Sequence, residues 1–182
     1  MGFKELGISA FLILYGGAAL IVWRWPQGGN ATMSQHVAAS KRLVLFYILL
    51  FSVVLSLLLL FFFYWFMPML HISDWFGVFI VIASVTQYAC TLIPEVGGWK
   101  TKYHRFLAGV SAACLIPALL VLFVADSVSS AGRFLILAGL AAMLAIIVLL
   151  IRGGGKHKYF LTLQLGYFAA FFIPILFITH TL

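Results

Sequence analysis

The chain has 182 residues, of which 65% are hydrophobic and only 8% charged, against roughly 25% charged in an average soluble domain. A mean hydropathy of +1.18 and 18 phenylalanines exclude a water-soluble globule, which could not hide so much apolar surface. Eleven Lys and Arg against four Asp and Glu leave a formal charge of +7. These basic residues lie between apolar stretches with no folded domain to present a groove, so they point to anionic headgroups and exclude nucleic acid as a partner.

A hydrocarbon core about 30 Å thick needs roughly 20 apolar helical residues. Six stretches without internal charge meet that need, at approximately 7–23, 43–67, 75–93, 105–124, 134–151 and 159–179. The expected fold is therefore all-α, a polytopic bundle of six transmembrane helices forming one integral membrane domain over 1–182. The first stretch also has the short basic start, apolar middle and small residues (Gly16 to Ala19) of a secretory signal peptide, and it is expected to be retained as a span. Leu6 stands where a myristoylation site needs Ser or Thr. The second stretch runs from Leu43 through the Leu57 to Phe63 tract to Met67, and Pro68 closes it. Pro94-Glu95-Val96-Gly97-Gly98 separates the third from the fourth, and Arg152-Gly153-Gly154-Gly155-Lys156-His157-Lys158 the fifth from the sixth. That second breaker is a flexible basic turn, because it lacks the strand, spacing and hydroxyl residue of a phosphate loop. Pro117 and Pro174 are expected to kink the fourth and sixth spans.

Orientation follows from the basic residues. Arg24, Lys41, Arg42, Lys100, Lys102, Arg105, Arg152, Lys156 and Lys158 follow odd-numbered spans, whereas only Lys4 and Arg133 lie on the other side. The positive-inside rule makes the first group cytoplasmic and both termini extracytoplasmic, in a bacterial-type cytoplasmic membrane. Glu5, Asp74 and Asp126 then lie outside and Glu95 inside. Trp23, Trp25, Trp65, Trp75 and Trp99 all fall at span ends, the depth an indole prefers. The Asn30-Ala31-Thr32 sequon is cytoplasmic on this topology and so unused. Cys90 and Cys114 differ in depth by roughly 9 Å at ~1.5 Å rise per residue, so no disulfide is expected between them.

No Asp, Glu, Lys, Arg or His lies deep inside a span. Secondary transporters and proton relays place such groups near the midplane, and a transmembrane haem relay needs histidines there. His36, His71, His104, His157 and His180 are all at or beyond span ends. No serine sits in a motif with a base and an orienting acid, so no catalytic residue is assigned.

The uncharged polar residues are patterned. Ser84, Gln87, Tyr88 and Thr91 share one face of the third span, and His104, Ala108, Ser111 and Ala112 one face of the fourth. Gln164 of the sixth, with Thr162 before it, comes to a depth near that of Gln87. One reading is interhelical hydrogen bonding. The other is a cytoplasm-facing cavity lined by Ser84, Gln87, Thr91, Ser111 and Gln164 with Glu95 and His104 at its mouth, able to accept a lipid headgroup or a small polar ligand. On the outer side His71, Asp74 and His180 form a metal-capable inventory without metal-site spacing. Ala138-xxx-Ala142 and Ala141-xxx-Ala145 in the fifth span offer close helix contact, within the chain or between copies.

His71-Ile72-Ser73-Asp74 after a span, then Pro94-Glu95 and Tyr103-His104-Arg105-Phe106-Leu107-Ala108-Gly109 at the start of a later one, resemble the Frag/DRAM/Sfk-like membrane proteins and their bacterial relatives. The resemblance covers about forty residues and begins at the second span rather than the first. It implies a helical membrane protein of lipid handling or membrane homeostasis, with Ser73, Asp74 and His104 as the matching positions, and no catalytic mechanism.

The leading expectation is a non-enzymatic membrane protein that interacts with lipid or serves as an accessory subunit, with membrane lipids, a second copy or a partner membrane subunit as neighbours. The sequence requires no cofactor. The alternatives are a small oligomeric channel or facilitator around Gln87 and Gln164, and a metal- or haem-bearing subunit or enzyme using His71, Asp74 and His180.

Overall fold

Apolar runs become helix in lipid because the hydrocarbon offers no partner to a free backbone N–H or C=O. The computed structural model describes residues 2–26, 31–38, 40–93, 95–153 and 159–182. Asn30 of the sequon, Pro94 of the first breaker, and Gly154, Gly155, Lys156, His157 and Lys158 of the basic turn lie outside them. Among the described residues there are helices and no strands: α1 (Phe3–Arg24), α2 (Met33–Val37), α3 (Lys41–Phe61), a π-helical turn (Phe62–Phe66), α4 (Met67–Leu70), α5 (Asp74–Leu92), α6 (Gly98–Phe123), α7 (Ser130–Arg152) and α8 (Phe160–Thr181). With α3, the π turn and α4 continuous over Lys41–Leu70, six helices are long and apolar enough to cross a membrane. This is the architecture of a multi-pass integral membrane protein.

Three antiparallel pairs make up the bundle: α1 with α3, α5 with α6, and α7 with α8. Thinner seams join α3 to α5 and α6 to α7, and α8 returns to α1 to close a ring. Leu14, Phe51, Phe62, Phe66, Leu119, Phe171 and Ile175 fill the interior. Long-range hydrogen bonds fix the closure. Tyr15 Oη donates to the Leu165 carbonyl at 2.7 Å, joining α1 to α8, and Tyr167 Oη donates to the Ala112 carbonyl at 2.7 Å, joining α8 to α6.

Two helix boundaries depart from the hydropathy reading. The second span continues past Pro68 to Leu70. A proline ring clashes with the carbonyl four residues back, and the π turn widens the helix just ahead of Pro68, with the Met67 N–H bonded to the Phe62 carbonyl. The helix then ends at His71, which takes left-handed torsions (φ 49°, ψ 43°), while the Ile72 N–H reaches back to the Met67 carbonyl. The Leu70 carbonyl, orphaned at this end, accepts from Ser127 Oγ in the α6–α7 connection at 2.5 Å. The fourth span begins at Gly98 rather than near 105, so Lys100, Lys102 and His104 belong to its first turns.

The short helix α2 was not expected. Thr32 and Gln35 make a capping box, the Thr32 hydroxyl accepting from the Gln35 N–H and the Gln35 side chain accepting from the Thr32 N–H. Five residues are too few to register in hydropathy, but the Thr-x-x-Gln spacing was readable.

In α7 the packed face is Gly132, Ile136, Gly139, Leu140 and Met143. Ala138, Ala141, Ala142 and Ala145 are exposed, so the close approach within the chain is made by glycine instead. A Cβ on Gly139 would stand 2.5 Å from the Ala170 carbonyl oxygen of α8. Pro174, four residues on, supplies that carbonyl with no helical N–H. Gly139 therefore lets the α7 backbone press against an oxygen left open by a proline.

Candidate functional site

The polar residues expected to line one cavity separate into three settings. The first is a clasp built on Glu95. Its side chain is 2% exposed and its Oε1 accepts from Arg105 Nε and Nη2, both at 2.7 Å. Oε2 accepts from Thr32 Oγ1 at 2.8 Å and Ser34 Oγ at 3.0 Å. A carboxylate with both oxygens engaged this way is held rather than presented. Glu95 thus ties α2 to the start of α6, and the Met33 N–H adds a 3.3 Å bond to Gln164 Oε1 of α8.

The second setting is a thiol–imidazole pair. His104 Nδ1 lies 2.7 Å from the Ile93 carbonyl, which can only accept. In the neutral ring that leaves Nε2 as the acceptor, 3.3 Å from Cys90 Sγ. Both side chains are buried. Cys90 and Cys114 are both free thiols.

The third setting is the bundle centre. Ser84, Gln87 and Ser111 line a void of about 50 Å³ whose other walls are apolar, among them Leu14, Phe51, Phe168 and Phe172. Gln164 lines a separate void of about 20 Å³ with Met33, Tyr47 and Leu165. Leu14, Phe51 and Phe168 belong to both linings and form the wall between them. Ser111 Oγ donates to the Ala83 carbonyl at 3.0 Å, and Thr91 Oγ1 to the Tyr88 carbonyl of its own helix at 2.7 Å. The buried Gln87 amide makes no hydrogen bond among the described residues. The structure therefore brings Ser84, Gln87 and Ser111 together, and keeps Gln164, Glu95 and His104 apart from them. Each void has room for waters, not for a headgroup.

Larger openings lie elsewhere, on the exposed side of the thin α3–α5 seam. One groove of about 710 Å³ is lined by Phe63, Met67, Pro68, His71, Asp74, Gly77, Val78 and Val81, among others. A second, of about 460 Å³, continues along the same two helices with Ser52, Ser56, Ser84, Tyr88 and Leu92. On α5 the linings run Asp74, Gly77, Val78, Val81, Ile82 and then Val85, Tyr88, Ala89, Leu92. That spacing is one helical face, roughly 27 Å long at 1.5 Å per residue, close to the thickness of the hydrocarbon core. Gly77 lets the Phe63 ring come close to α5 at the floor of the first groove, since a Cβ there would meet that ring at 2.9 Å.

The trio His71, Asp74 and His180 divides. His71 and Asp74 line this groove and His180 does not. Among the described residues no three His, Cys, Asp or Glu side chains gather as a metal-holding group. Of the positions that carried the resemblance, Ser73 accepts from the Trp75 N–H as the α5 N-cap at 3.4 Å, Asp74 stands beside it at the groove end, and His104 is in the thiol pair. Sequence reasoning missed the seam because apolar residues on two helices give no pattern announcing a gap between them. No family model, curated protein or solved structure matches the chain.

Proposed function

We propose that this protein is a non-enzymatic integral membrane protein that holds membrane lipid along the α3–α5 seam, with both termini outside a bacterial-type cytoplasmic membrane. The observation that carries the reading is the pair of grooves aligned on one face of α5, mainly apolar with the hydroxyls of Ser52, Ser56, Ser84 and Tyr88 along the second and His71 and Asp74 at the end of the first. An acyl chain fits an open apolar channel of that length, and a headgroup fits the polar end. The orientation rests on the side bearing Arg24, Lys41, Arg42, Lys100, Lys102, Arg105 and Arg152. The Frag/DRAM/Sfk-like resemblance implies the same class of role, and two of its matching positions, Ser73 and Asp74, stand at this end of the seam.

A channel around Gln87 and Gln164 has less behind it, because the two residues line small separate voids. The lipid reading is tested by native mass spectrometry of the gently released protein. Wild type is expected to retain bound lipid through detergent exchange. Val81→Trp fills the groove from an exposed position and should abolish retention, whereas Leu137→Trp, at an exposed position of α7, should not. Equal retention by all three proteins would sink the reading.

A further inference from the structure

The polar end of the first groove has a chemistry of its own, and its use as a lipid site rests on the seam reading above. Among the described residues, Asp74 is the only charged one in the groove lining. Its exposed carboxylate makes no ion pair and no hydrogen bond among the described residues. It is not needed to cap α5, because Ser73 does that. The basic residues on this side are engaged away from the groove: Lys4 lies over the Trp65 ring at 5.6 Å, and Arg133 donates to the Ala125 carbonyl at 3.2 Å. His71, at the same groove end, sits in a left-handed backbone conformation that glycine would adopt at lower cost. Its imidazole likewise has no hydrogen-bond partner among the described residues.

We propose that the His71–Asp74 end of this groove binds the headgroup of a phospholipid bearing a primary amine, phosphatidylethanolamine, with the ammonium on Asp74 and the phosphate accepting from the His71 imidazole. A carboxylate without a neighbouring cation repels an anionic headgroup, so phosphatidylglycerol is disfavoured. A choline headgroup has the positive charge but no N–H to donate. Recognition of quaternary ammonium relies on aromatic faces, and the one aromatic residue in the lining is Phe63, two turns of helix back from His71. A primary ammonium satisfies both the charge and the hydrogen-bonding capacity of Asp74.

The test is lipid competition on the intact chain, read by native mass spectrometry after equilibration with equimolar dioleoyl-phosphatidylethanolamine, -phosphatidylglycerol and -phosphatidylcholine. Wild type should retain phosphatidylethanolamine over phosphatidylglycerol by about two- to fivefold, the scale of one exposed ion pair. Asp74→Asn should bring that ratio to about one, and Asp74→Glu should keep the preference. A wild-type ratio at or below one, or a ratio unchanged in Asp74→Asn, overturns the amine assignment and leaves the seam standing. Failure of wild type to retain any lipid overturns both.

Discussion

The Arg105 guanidinium grips one oxygen of Glu95 through two nitrogens, Nε and Nη2, each 2.7 Å away, although the arginine side chain is 59% exposed and the glutamate side chain 2%. Burial is thus one-sided. The carboxylate has been withdrawn from water and the guanidinium has not, so each partner depends on the other to a different degree.

Removing the arginine strands a buried anion, whereas removing the charge of the glutamate returns the arginine to water. Arg105→Ala is expected to destabilise the protein by about 3 kcal/mol. Glu95→Gln should cost about 1 kcal/mol, because Thr32 and Ser34 can still donate to an amide oxygen. The double variant should be more stable than Arg105→Ala alone. Thermal unfolding in detergent measures all three, and a double variant less stable than Arg105→Ala would reject the one-sided account.

Two glycines should respond oppositely to the same substitution. Gly139→Ala drives a methyl group into the Ala170 carbonyl, and separating α7 from α8 should cost about 2 kcal/mol or more. Around Gly109 a Cβ would find open space. Gly109→Ala should leave stability unchanged or raise it by up to about 1 kcal/mol through helix propensity. Equal losses in the two variants, measured by steric trapping in bicelles, would contradict the packing described for α7.

The proposed orientation predicts labelling with an impermeant thiol reagent in intact cells. A cysteine replacing exposed Ser130, just past the α6–α7 turn, should react. One replacing exposed Val96, in the α5–α6 connection, should react only after permeabilisation. The opposite pattern would place the termini in the cytoplasm.

The helix-scale architecture was legible from hydropathy because a lipid-facing helix needs little beyond apolar length and charged ends. The six spans and their order required nothing more. What hydropathy misplaced were local contests. Lys100 and Lys102 looked like loop residues, yet they form the first turns of α6, where long basic side chains reach the surface. Pro68 looked like a terminator, yet the π turn absorbed it. Depth was readable for Gln87 and Gln164, but depth is one coordinate. Which void each amide faces depends on helix rotation, and Phe51 of α3 and Phe168 of α8 stand between the two voids. Glu95 was legible as a residue at a span boundary, and its burial was not, because the hydroxyls that hold it come from residues more than sixty positions earlier.

The hydrogen bond from Tyr15 to the Leu165 carbonyl spans 150 positions of the chain, and this separation has a consequence for biogenesis. Chains are synthesised from the N-terminus at a finite rate, so α1 enters the bilayer long before its acceptor exists. Until residue 165 has been added, α1 has α3 as its main neighbour, and the ring stays open on its α8 side. A helix inserted well before α8 is thus among the last to be locked, and a chain arrested before α8 would leave that flank free to pair with whatever else the membrane offers.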